Sequence, residues 1–232
     1  MNITLKILIL SILIHTNAQG AGMDDDPIIN KFMINKLETT IGDDPTQSWN
    51  IQNWTGTDFH KIWLKSEGEA EDKEIDENEL QVLYSHAISP YWDLQLGWHS
   101  SLIDEKENNA VIGFHGVAPY FFEIDSSLFI SKEGTTKIEF EAEYELMLTQ
   151  KLVLSPEVGA KINSNNHPEE AIGSGISETE VGLRIRYEFI REFSVHIGTQ
   201  SWAKFGKTKD YAIKNGSQTR NTDYVVGLKA WY

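Results

Sequence analysis

The sequence predicts an all-β chain closed as a transmembrane antiparallel β-barrel of about 12 strands, and three observations carry that expectation. Long stretches alternate with period two, one file apolar and often ending on an aromatic residue, the other charged or polar. The connections alternate as well, tight turns following longer polar loops, which an even-stranded outer-membrane barrel requires. The closing stretch does the same: Tyr224, Val226, Leu228, Ala230 and Tyr232 form one apolar file, against Asp223, Val225, Gly227, Lys229 and Trp231. A soluble sandwich also alternates, but it has no reason to alternate its loop lengths.

Taken in order, residues 1–18 read as a secretory leader: Lys6, the short apolar run Ile7 to Ile14, and a small-residue cleavage site at Thr16-Asn-Ala18. The run is too short to span a bilayer, and no later segment reaches 18 unbroken apolar residues. Residues 19–30, with Met23-Asp-Asp-Asp-Pro27, read as a flexible periplasmic lead-in. The barrel itself is expected over 31–232. Its strands fall near 31–41, 48–55, 59–68, 77–87, 90–102, 109–118, 119–131, 136–148, 151–163, 176–190, 192–204 and 221–232.

The best-formed strands show the two faces plainly. In the eighth, Ile138, Phe140, Ala142, Tyr144, Leu146 and Leu148 oppose Glu139, Glu141, Glu143, Glu145 and Met147. In the tenth, Val181, Leu183, Ile185, Tyr187 and Phe189 oppose Glu180, Gly182, Arg184, Arg186 and Glu188. In the fifth, Trp92, Leu94, Leu96 and Trp98 oppose Asp93, Gln95, Gly97 and His99. Apolar files belong against lipid and charged files against a polar lumen. Tight turns are expected at Gly56–Asp58, Ile88–Pro90, Ala118–Pro119, Thr149–Gln150 and Ile190–Arg191. Long loops are expected at Gly42–Gln47, Glu69–Asp76, Ile103–Asn108, Ser131–Thr135, Ser164–Gly175 and Phe205–Arg220. An even strand number then puts both termini in the periplasm of a Gram-negative cell.

Composition narrows the function. The net charge of −15 over 232 residues argues against nucleic acid, whose phosphates need a basic surface. With no cysteine, neither disulfides nor thiolate metal sites are available.

From Leu83-Tyr-Ser-His-Ala-Ile-Ser-Pro-Tyr-Trp-Asp-Leu-Gln-Leu-Gly97 onward the chain resembles the copper-resistance protein B family of outer-membrane proteins. Further matching stretches are Trp54-Thr-Gly-Thr-Asp58, Gly116-Val-Ala-Pro-Tyr-Phe-Phe-Glu123, Glu143-Tyr-Glu-Leu-Met-Leu-Thr-Gln150 and Gly182-Leu-Arg-Ile-Arg-Tyr-Glu188. The resemblance runs from about Phe32 to the end. It implies an outer-membrane barrel, set in membrane lipid, that binds or moves copper as Cu(I) or Cu(II) alongside a periplasmic multicopper oxidase. Two departures stand out: the family's long Met/His-rich N-terminal region is missing, and His86 replaces the family's Arg in Tyr-Ser-Arg-Ala.

Copper is held by imidazole in either oxidation state and by thioether as Cu(I). The candidate metal ligands are His99, His115, Met147, His86 and His196; His99 and His196 fall on polar files, and His115 is placed there too. None has local ligand spacing, and a hydrogen-bonded lumenal histidine is the bland alternative for each. The acidic file Glu139, Glu141, Glu143 and Glu145, with Glu123 and Asp125 on the neighbouring strand, is either a structural ion-pair plug or a cation-selecting wall. Arg184, Arg186 and Lys161 are its expected basic partners. Met147 with Glu123 and Asp125 would make a mixed soft and hard copper site. The chain is not expected to be an enzyme. The competing readings are a nonspecific small-cation porin and an outer-membrane lipid hydrolase; adjacent His99 and Ser100 point to opposite faces and argue against the second.

Overall fold

The sheet closes on itself through the pairing of its first and last strands. The computed structural model describes residues 26–42, 44–71, 74–102, 108–168 and 170–232; the leader and the lead-in up to residue 25 lie outside them. The strands are β1 (Ile29–Thr40), β2 (Thr46–Gly56), β3 (His60–Glu71), β4 (Glu74–Ser89), β5 (Trp92–Ser101), β6 (Asn108–Ala118), β7 (Phe122–Ser131) and β8 (Thr136–Tyr144). After a break at Glu145, β8 resumes as Leu146–Met147. They continue as β9 (Leu152–Asn163), β10 (Gly175–Ile190), β11 (Phe193–Lys204) and β12 (Arg220–Trp231), with a helix α1 (Gly206–Lys214) before the last. Each strand pairs antiparallel with the next, and β12 pairs with β1 from Met33↔Trp231 to Thr40↔Val225, giving a closed barrel of 12 strands. Closure satisfies the backbone groups an open edge would leave bare in lipid. At the seam, Phe32 and Tyr232 exchange two backbone hydrogen bonds of 2.8 Å.

The outer wall is apolar, as lipid demands: Ile62 and Leu64 on β3, Leu96 and Trp98 on β5, and Leu183 and Ile185 on β10 all stand exposed. Tight turns gather at the end that carries the termini, beside a band of exposed aromatics: Phe59, Tyr91, Tyr120, Phe121, Phe193 and Tyr232. The turn between β6 and β7 holds Tyr120 and Phe121 at φ 68° and 65°, a left-handed bend that presents both rings outward, 83% and 81% exposed.

Three features differ from the sequence expectation. The long loop placed at Glu69–Asp76 is mostly strand, because β3 and β4 pair up to Glu71↔Glu74. The loop placed at Phe205–Arg220 contains α1, which buries Thr208 and Ala212, one turn apart, and is tied by Thr208 Oγ1 accepting from Gly173 N–H at 2.8 Å. The lumen is not polar throughout: Trp63, Leu83, Val111 and Phe129 point inward and pack together, with Met33 and Trp54 against them. A small apolar cluster from β3, β4, β6 and β7 therefore stands in the lumen, beside buried polar groups of the same part of the wall such as Lys65, Gln81, Gln95 and His99. The half from β8 round to β1 is the more densely charged.

Candidate functional site

The more densely charged half begins in β1. A bulge between Ile34 and Lys36 breaks the strand's alternation and sets Lys36 and Glu38 on the lumenal face. Lys36 Nζ lies 3.2 Å from Glu141 on β8 and also contacts Glu157 on β9, so it bridges the barrel from one wall to another. Two pleats along, Glu38 is buried and takes Arg184 as a fork, Nε at 2.5 Å and Nη2 at 2.9 Å, while Arg184 Nη1 reaches Glu157 at 2.9 Å. His196 Nε2 completes the group at 2.7 Å from Glu38 Oε1. Glycine makes room here: a Cβ on Gly227 would sit 2.7 Å from both Glu38 Cγ and His196 Nε2, and 2.6 Å from the Leu37 carbonyl oxygen. Paired charges of this kind are tolerated away from water only when every partner is in place.

Every member of the acidic file has a cation. Glu139 meets Lys137 at 2.8 Å, Glu141 meets Lys36, Glu143 lies 3.9 Å from Lys229, and Glu145 contacts Arg186 at 2.7 Å and Lys229 at 3.2 Å. Of the three expected basic partners, Arg186 reaches the file directly. Arg184 instead holds Glu38 and Glu157, and Lys161 sits 3.5 Å from Glu178 and 3.9 Å from Glu180. Asp125 is bridged across the lumen by Lys65 at 2.6 Å.

The histidines do not converge. His99, 1% exposed, stands toward the end away from the termini, Nε2 3.2 Å from Glu79 and the ring edge-on to Phe129. His115 lies nearer the termini, Nδ1 3.3 Å from Asp125 and the ring against Trp63. His196 belongs to the Glu38 group. Three imidazoles each face a separate carboxylate, and among the described residues no cluster of three or more His, Cys, Asp or Glu has metal-site geometry. His86 lies elsewhere: β4 turns it to the outer wall beside His60, because its neighbours Ser85 and Ala87 occupy the opposite pleat. Met147 is exposed at the rim, opposite Val153. Glu123 pairs in register with Glu143, so Met147 lies roughly 13 Å further along the strand by the usual rise per residue. The mixed Met147, Glu123 and Asp125 site expected from the sequence is therefore not assembled.

At the terminus end the lumen opens into a cavity of about 280 Å³ lined by Met33, Glu123, Glu145, Glu188, Arg186 and Lys229 among others. Sequence reading missed Lys36 and Glu38, which the bulge hides from a period-two count, and Met33, whose file that bulge also interrupts.

Residues 28–232 match the family described as Copper resistance protein B precursor (CopB). The chain is 35% identical over 219 residues to Copper resistance protein B of Escherichia coli, covering 93% of this chain and 74% of that relative. The chain belongs to the copper resistance protein B family. A second member, the Copper resistance protein B homolog of Pseudomonas syringae pv. tomato, is 32% identical over 221 residues, covering 94% of this chain and 75% of its own length. Among solved structures the NanC porin superposes with a TM-score of 0.55 at 8% identity, over 87% of this chain and 99% of its own. The KdgM porin gives 0.52 at 10% identity, over 85% and 98%. At such identities the porins speak for the fold alone, and the fold is that of an outer-membrane barrel. The family names speak for copper resistance.

Proposed function

We propose that this copper resistance protein B barrel binds copper ions in its lumen and passes them across the outer membrane, its termini and short turns facing the periplasm. The observation that carries the reading is Lys36, whose ammonium sits between Glu141 and Glu157. Two carboxylates meeting at one point inside the barrel form a cation position, and at rest the lysine is the cation that holds it. An arriving copper ion exchanges with an ammonium group rather than meeting bare carboxylates. The file from Glu139 to Glu145 then serves as a ladder of exchange positions, and acidic walls favour cations over anions.

The mouth cavity supports the same reading, since Met33 adds a thioether to a surrounding set of carboxylates, a mixture that suits either oxidation state of copper. His196 stands on the densely charged side, oriented by Glu38 as ligating imidazoles commonly are, and His99 and His115 face Glu79 and Asp125 from the other side of the lumen. A periplasmic multicopper oxidase is the partner that would exchange ions with the mouth. No catalytic cycle belongs to this function.

The test is copper flux into vesicles carrying the purified barrel and an internal copper-responsive dye. Saturable copper flux is expected, falling about tenfold in the Glu141→Gln/Glu157→Gln barrel, equivalent to about 1.4 kcal/mol. Unsaturated passage of copper, Mg²⁺ and K⁺ at equal rates would instead identify a small-cation porin.

A further inference from the structure

The fold sets the His86 imidazole directly against another. His60 and His86 face one another across the β3–β4 pair, ring centroids 4.8 Å apart and planes 22° from parallel, on the outer wall within the aromatic band at the terminus end. Their Nδ1 atoms are 3.3 Å apart. Two oxygens complete the group: Tyr84 Oη lies 2.6 Å from His60 Nδ1, and the Phe59 carbonyl oxygen lies 3.1 Å from His86 Nδ1. Among the described residues no carboxylate is ion-paired to either ring.

The geometry points to a metal site at His60 and His86, separate from the lumen, that takes a divalent first-row ion, Cu(II) most tightly. Two imidazole nitrogens bound to one ion at about 2.0 Å stand about 3.3 Å apart in a tetrahedral site. That is the separation the pair already has. As a hydrogen bond between the rings the same contact is long and competes with better partners. The tyrosine hydroxyl donates to His60 Nδ1, and His86 Nδ1–H donates to the Phe59 carbonyl, so the metal-free network is self-consistent.

Binding needs little rearrangement. The ion takes the lone pair of His60 Nδ1 in place of the Tyr84 hydrogen bond. The proton on His86 Nδ1 moves through water to Nε2, freeing Nδ1 for the ion, and no net proton is released. The Phe59 carbonyl and the Tyr84 hydroxyl stand ready as oxygen ligands. Imidazole with neutral oxygens suits divalent copper, nickel and zinc, and the stability order of the series places copper first. His60 is exposed and His86 half-buried, both close to the short turn that ends the β2–β3 hairpin.

This inference does not rest on the lumenal reading, and its test is separate. The folded barrel in detergent is titrated with Cu(II) and examined by electron paramagnetic resonance with spin-echo modulation, which counts coordinated imidazoles. The expected result is a saturable copper species carrying two imidazoles, lost in His60→Ala and in His86→Arg. Arginine has no lone pair to offer an ion, and folding of His86→Arg is checked by heat-modifiable migration on a gel. The Glu141→Gln/Glu157→Gln barrel should keep the two-imidazole signal whatever its flux. Persistence of that signal in folded His86→Arg, or the lack of any two-imidazole species in the wild type, would overturn the site.

Discussion

Glu38 shows how much one carboxylate organises. Its side chain is 2% exposed and is held by the Arg184 fork and by His196. Removing it leaves a guanidinium buried with Glu157 as its remaining acidic partner, and breaking a buried pair in this way typically costs about 3–5 kcal/mol. Glu38→Ala should therefore lower the urea midpoint of the vesicle-inserted barrel by that amount. The double variant Glu38→Met/Arg184→Met, which removes both charges, should recover most of it, since apolar replacement of a whole buried pair is often neutral or better. Equal losses in the single and double variants would mean the group contributes packing rather than charge pairing. Little of this group was legible beforehand. Arg184 and His196 fall on polar files that alternation identifies, whereas Glu38 follows a bulge, and an inserted residue exchanges the two faces of everything beyond it.

Among the elements, β3 to β7 and β8 to β1 do different work. In the first set Trp63, Leu83, Val111 and Phe129 fill the lumen as a small core, which an apolar count assigns to lipid and only the pleat assigns to the interior. Trp63→Ala should cost about 3–5 kcal/mol, as large-to-small changes in packed cores do. Ile62→Ala, one residue away on the lipid face and 54% exposed, should cost clearly less because lipid fills the gap. Urea unfolding of both variants in the same vesicles decides the matter, and similar losses would place Trp63 outside any packed core. The strands themselves were readable because period two runs through most of β5, β8, β10 and β12. Helix α1 was not, since Lys207-Thr-Lys-Asp-Tyr-Ala-Ile-Lys214 carries only a short apolar face and is stabilised by Thr208 docking on Gly173, a contact distant in sequence.

At the scale of the whole molecule, the two halves give the lumen a direction across its section as well as along its length. The denser charge lies on the β8-to-β1 side, so the proposed passage follows that side, past Lys36, Glu141, Glu157 and the mouth cavity. The family and the barrel were legible from motif and alternation. The path was not, because it depends on which strands face each other across the interior, and closure between β12 and β1 sets that. In the proposed passage Lys36 is the residue on which the path turns: its ammonium sits between two acids. Lys36→Met keeps a similar length of side chain but leaves Glu141 and Glu157 facing each other without their ammonium. Two carboxylates in that position attract a divalent ion more strongly than a monovalent one, because the attraction scales with ionic charge. The expected outcome is tighter Cu(II) binding to the purified barrel, by about tenfold or about 1.4 kcal/mol, together with slower copper flux, since an ion held without a competing ammonium leaves less readily. Calorimetric titration and the vesicle assay measure the two quantities separately. Faster flux of copper and K⁺ alike in Lys36→Met would mean that the lysine only obstructs the lumen, and that ions pass it without exchanging for it.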